Sequence, residues 1–137
     1  MKNLYFLLSF CILILLSCSK HCDQNLTDQK LAGSWKWVKT DGGIGYNIHD
    51  TPASTGKNID VKFTTDNHYA AYTNGALTSQ GSFNLQVRNC IHDHTNKNVI
   101  IFSSPEDQAM MIESLDNLTL QTSDDVYDGT ISVYSRN

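Results

Sequence analysis

The 137-residue chain predicts an all-β fold, an eight-stranded antiparallel up-and-down barrel with a short N-terminal helical turn. Three observations lead there. Short runs of alternating apolar and polar residues recur from Gly33 to the C-terminus, the spacing of strands with one buried face. Strong turn signals separate them, among them Asp66-Asn67, Asn74-Gly75 and Ser104-Pro105. No convincing long helical pattern interrupts the series. Eight such strands can close into a barrel, which leaves no exposed sheet edge.

The elements follow in order. Thr27 to Lys30 predicts one helical turn with Thr27 as N-cap and Gly33 as its left-handed stop. The next strand places Trp35 and Trp37 on one face and Lys36 on the other, so the core nucleates around the only two tryptophans. A Gly-rich stretch from Asp41 to Gly56 reads as a long loop or lid, with Ile44 and Tyr46 as the groups to fold inward. It lacks the Lys-Ser/Thr pair of a phosphate cradle. Ile59-Asp60-Val61-Lys62-Phe63 alternates strictly. A three-residue turn then sets Phe63 opposite Tyr69 and Val61 opposite Ala71, the preferred register, while a two-residue turn would point Tyr72 inward instead. Asn74-Gly75 marks a type I′ hairpin leading through Leu77 to Val87, with Gly81 as a bulge glycine and Phe83, Leu85 and Val87 on one face. Residues 88–97 form a polar loop. Strands follow at Asn98–Phe102, Met110–Glu113, Leu118–Gln121 and Thr130–Arg136, and residues 123–129 make an acidic turn.

The N-terminus carries an address. Lys2 precedes an apolar run from Leu4 to Leu16, too short for a comfortable membrane span, and the run ends in Leu15-Leu16-Ser17-Cys18. A small residue directly before cysteine resembles the lipobox of bacterial lipoproteins. The resemblance implies a signal peptide over residues 1–17, cleavage before Cys18, and lipidation of Cys18, with residues 18–26 as a polar tether and 27–137 as the barrel domain. Acyl chains at ~0.8 kcal/mol per buried CH₂ would hold the protein on a membrane in the bacterial cell envelope. Losing Lys2 leaves nine cations against fourteen carboxylates, a net −5. That balance, without a basic run, argues against nucleic acid as a partner. Of the four cysteines, Cys11 leaves with the signal and Cys18 is the anchor. Cys22 and Cys90 remain as a disulfide pair in an exported chain, worth ~3–4 kcal/mol if unstrained.

Gly33-Ser34-Trp35, then Phe63 with Asp66-Asn67 and Tyr69, then Leu118-Thr119-Leu120 and a terminal Tyr134-Ser135-Arg136 together resemble the lipocalin-like domain of small bacterial lipoproteins. The likeness spans most of residues 30–136, and the order of the motifs carries it. It implies that Trp35 packs against Arg136 in a cation–π contact worth ~0.5–2 kcal/mol, with Gly33 completing the structural set.

Chemistry-bearing groups are sparse. Cys90-x-His92-x-His94 would put three metal-ligating types on one face of a strand, but they sit in a solvated loop, so neither a metal nor a cofactor is expected. No Gly-x-Ser-x-Gly elbow is present, Asp60, Glu113 and Asp116 fall on outward positions or turns, and Asp124-Asp125 lies in a turn tip; no enzyme is expected. The barrel interior is the remaining candidate. Trp37, Ile59, Val61, Phe63, Tyr69 and Phe83 would line it, with Tyr46 at its mouth, as a site for a small hydrophobic ligand. The alternative is a solid-core module contacting another envelope protein through the loops at 41–57 and 88–97.

Overall fold

The structure, a computed structural model, describes residues 24–137. The signal segment 1–17, the lipidation site Cys18, Cys22 and most of the tether lie outside these residues. A helix, Gln24–Leu31, leads into nine strands: β1 (Gly33–Gly42), β2 (Ile48–Asp50), β3 (Ile59–Phe63), β4 (His68–Thr73), β5 (Ala76–Asn89), β6 (Asn96–Phe102), β7 (Met110–Leu115), β8 (Thr119–Ser123) and β9 (Thr130–Arg136). Every pairing is antiparallel. β1 and β3 through β9 follow one another round the sheet, and β9 pairs back onto β1, closing an eight-stranded barrel. The ninth strand, β2, is an addition. It lies alongside the end of β1, with Gly42 opposite Ile48.

The tryptophan strand and its hairpins match their sequence patterns. Trp35 and Trp37 point inward and are buried. Phe63 pairs with Tyr69 and Val61 with Ala71, as the three-residue turn requires, and Asn67 takes the left-handed conformation (φ 62°) that Asn tolerates. Asn74 and Gly75, at φ 52° and 80°, make the type I′ turn.

Four local expectations are corrected. Thr27 lies inside the helix, which begins at Gln24 in the stretch assigned to the tether. Gly33 is no helical stop. It opens β1 at φ 141°, where a Cβ would strike Arg136 Nη1, so it is glycine to admit that guanidinium. Gly81 is not the bulge. It pairs in register with Tyr69, and the irregularity falls earlier, where Ala71–Tyr72 meets Leu77–Ser79. A side chain at Gly81 would strike Ser103 Oγ at 2.5 Å, so close approach explains this glycine instead. Lastly, the 41–57 segment is not a long structureless lid. It holds a 3₁₀ turn (Ile44–Tyr46), β2, and a one-turn helix (Pro52–Thr55) with a Thr51–Ser54 capping box. Left-handed Gly45 and Tyr46 (φ 67° and 56°) turn the chain away from the barrel, leaving Ile44 and Tyr46 77% and 64% exposed.

Two apolar clusters hold the molecule together. The larger fills the barrel: Leu31, Trp35, Phe63, Ile100 and Leu120 are essentially inaccessible. Each such side chain contributes ~1.5–3 kcal/mol by leaving water. The smaller lies on the outer wall. Val99 and Met111, cross-strand partners on β6 and β7, alternate with inward-facing Ile100 and Ile112 and are covered by Cys90 as the β5–β6 loop folds back. Ile91 N–H donates to Asp125 at 3.0 Å, tying that loop to the β8–β9 loop. Cys90, expected to bridge Cys22, stands instead as a free thiol fully buried in this cluster, and no disulfide forms among the described residues.

Candidate functional site

The helix end of the barrel is sealed from the sequence upward. Leu31, the last helical residue, is fully buried against the core. A helix C-terminus leaves carbonyl oxygens without intrahelical partners and favours a cation nearby. Here side chains from both ends of the barrel domain supply the donors. Trp35 Nε1 donates to Leu31 O at 2.7 Å, Arg136 Nη1 donates to Ala32 O at 2.8 Å, and Arg136 Nη2 donates to Lys30 O. The guanidinium carbon sits 4.2 Å from the Trp35 ring centroid, so the contact implied by Gly33, Trp35 and Arg136 is present in the structure.

Above this seal the interior is solid. Phe63 meets Phe83 edge-on at 5.1 Å and stacks on Phe102 at 6.4 Å, while Tyr69 packs on Phe102 at 4.6 Å. The opposite end is hollow. A cavity of about 180 Å³ opens between the β6–β7 and β8–β9 loops. Inward-facing positions of the strands make its apolar wall: Val61 on β3, Ala71 on β4, Phe102 on β6 and Met110 on β7. Thr122 on β8, with Thr130, Ser132 and Tyr134 on β9, makes the polar wall, and the two loops add Asp107, Gln108 and Asp124 at the rim. The alternation of these strands thus carries the same interior face from a packed core into an unfilled mouth.

Hydrogen bonds hold the rim in place. Tyr69 OH donates to Asp107 Oδ2, Ser79 Oγ donates to the same oxygen, and the two hydroxyls lie 3.1 Å apart. Asp124 Oδ1 accepts from the backbone N–H of Thr130 and from its hydroxyl. Trp37 Nε1 donates to Thr40 Oγ1 at 2.9 Å, which lies 2.7 Å from Ser132 Oγ, so a buried indole and the cavity wall share one chain of hydroxyls. Burial raises the pKa of the Tyr134 phenol, and the neighbouring Ser132 and Thr122 hydroxyls offset part of the rise. Tyr69 is raised as well, first by burial and then by its bond to Asp107. Both phenols are therefore neutral at neutral pH, with the Tyr69 proton already donated to Asp107.

The sequence-derived lining is thus divided. Val61 and Tyr69 border the cavity. Trp37, Phe63 and Phe83 are buried in the solid part, and Ile59 is half-buried against it. Tyr46 stands outside, in edge contact with His49 at 5.2 Å. Cys90, His92 and His94 are not brought together: Cys90 points into the outer cluster, while His92 and His94 are exposed on a turn and not on a strand. Among the described residues no group of three metal-ligating side chains forms. Sequence reasoning missed Asp107 and Asp124, which look like ordinary turn carboxylates until the barrel closes. Comparisons with protein-family models, with curated proteins and with solved structures each return no match to this chain, so the geometry of the mouth carries the functional reading by itself.

Proposed function

We propose that the protein is a lipid-anchored lipoprotein of the bacterial cell envelope whose lipocalin-like barrel binds a small molecule in its open mouth, without enzymatic activity. The observation that carries the binding reading is the cavity of about 180 Å³ at the end of a barrel sealed at the other. A cavity near 150 Å³ accommodates a benzene-sized guest, whereas drug-sized pockets run to several hundred Å³. The ligand is therefore small, about one ring or a short chain, with its apolar side on Val61, Ala71, Phe102 and Met110. Ligand binding raises the melting temperature of the native state. The full chain is expected to gain stability with at least one compound from a panel of one-ring lipophiles, and Ala71→Leu, which narrows the cavity, should abolish the gain. A panel without any shift overturns the reading.

The anchor rests on Leu15-Leu16-Ser17-Cys18. Fatty-acid labelling of the full chain should be lost in Cys18→Ser, and labelling that persists overturns it. None of the described helices is long and apolar enough to cross a membrane.

A second reading, an interaction module that contacts another envelope protein, draws on one surface. Gly43 N–H bonds Gly129 O at 3.1 Å, joining the segment that carries exposed Ile44 and Tyr46 to the loop that carries exposed Val126 and Tyr127. Cross-linking in intact cells to another envelope protein, lost on Ile44→Ser with Tyr127→Ser, would favour it.

A further inference from the structure

We infer that the mouth selects a small organic cation, a primary amine carried on a one-ring or short aliphatic body, with Asp107 as the residue that holds the ammonium. The inference rests on the reading of the cavity as a ligand site and adds the charge of the guest. Two carboxylates, Asp107 and Asp124, stand among the residues lining the cavity, and no Lys, Arg or His is there to balance them. A surface concavity that shares Asp124 with the mouth is different: Lys97 and His92 line it together with Glu113, Asp124 and Asp128. An anion entering the mouth meets two like charges, while an ammonium leaving water finds the paired charge and acceptors that burial of an ion demands.

The carboxylate of Asp107 is built for this. Tyr69 and Ser79 both donate to Oδ2, fixing the plane of the group, and Oδ1 takes neither of these bonds. Hydrogen bonds that orient a carboxylate spare a ligand the cost of ordering it. The Tyr69, Phe102 and Tyr134 rings line the same cavity, and aromatic rings attract a cation that reaches their faces. The apolar wall opposite suits the remainder of the molecule. Size, charge and ring content thus converge on one class of guest.

The test is a titration of the full chain with three nearly isosteric probes, benzylamine, benzyl alcohol and benzoate, followed by NMR. Benzylamine should bind at least tenfold more tightly than benzyl alcohol, benzoate should be the weakest, and added salt should weaken the amine alone. Asp107→Asn keeps an acceptor for Tyr69 and Ser79, and should bring the amine within about twofold of the alcohol. Should that variant fail to fold, the three-probe ranking on the unaltered chain still decides. Benzyl alcohol binding as tightly as benzylamine, or a folded Asp107→Asn that keeps the full preference, overturns the cation inference and leaves the cavity a ligand site. Failure of all three probes overturns both.

Discussion

The end of the barrel under the helix and the end between the β6–β7 and β8–β9 loops are made by the same strands, yet one is filled and the other is open. Under the helix, Leu31, Trp35, Phe63 and Leu120 are large and apolar. The carbonyls of Leu31, Ala32 and Lys30 take the indole N–H and the two terminal nitrogens of Arg136, whose Nε is buried without a hydrogen-bond partner. At the mouth the inward positions turn to Thr122, Thr130 and Ser132, and Ala71 is small. Small and hydroxylated side chains cannot fill the diameter that eight strands impose, so space remains. The contrast teaches that the barrel divides its length into a stabilising half and a receiving half.

Substitutions can break that contrast. The largest effect is expected for Trp35→Ala, at about 3–5 kcal/mol of unfolding free energy, because it opens a cavity and removes both the indole bond to Leu31 O and the ring under Arg136. Urea denaturation checks it, and a cost under about 1 kcal/mol would mean the helix end is no more filled than the mouth. Arg136→Met comes next, at about 2 kcal/mol, since it keeps a stem but loses the bonds to Ala32 O and Lys30 O. Amide exchange in Gln24–Leu31 should speed up in that variant while exchange in β8 does not. Tyr134→Phe at the mouth should cost under about 1 kcal/mol, because the hydroxyl faces a polar cavity, and should change ligand binding more than stability.

The smallest effects are those of pH, and they separate by sign. The Tyr134 phenol has a folded pKa raised above its unfolded value, so the stability it supplies is complete below about pH 10 and is lost as pH rises beyond it. Tyr69 adds to the same alkaline loss, and Tyr134→Phe should reduce it. Asp93 on the β5–β6 loop behaves oppositely. Bonds from Thr95 and from Lys97 hold its carboxyl well below the usual range, so its contribution is present above about pH 4 and fades as pH falls through and below that value. Asp93→Asn should flatten the acid limb of the stability curve without touching the alkaline one.

Much of the fold was legible because β-sheet alternation is local. Trp35 and Trp37, Val61 and Phe63, and Tyr69 and Ala71 announce a buried face every second residue, and Asn67 and Asn74-Gly75 announce turns whose backbone angles few residues accept. Gly81 shows the limit. Its reason is a hydroxyl from Ser103, on the neighbouring β6–β7 loop, and no pattern within β5 contains that neighbour. Tyr46 fails likewise: apolar composition predicted an inward lid, but two left-handed residues and the pairing of β2 onto β1 turned it to solvent. Of the candidate site, Val61 and Tyr69 were legible as inward residues, whereas Asp107 and Asp124 were not, since a loop carboxylate acquires its surroundings only from strands distant in sequence.

By itself the order of residues determined an all-β chain of short antiparallel strands, the buried tryptophan face, and the hairpin registers, because each depends on side-chain alternation and turn conformations that neighbours along the chain dictate. Closure of β9 onto β1 and the latch of Arg136 over Trp35 agree with what the strand count predicts and the family resemblance implies, whereas the folding of Cys90 against the outer wall and the hollow mouth with its two carboxylates were decided only in three dimensions. Whether an inward side chain fills space or borders a void depends on the volume of what stands opposite it, and in a closed barrel that partner comes from a distant strand.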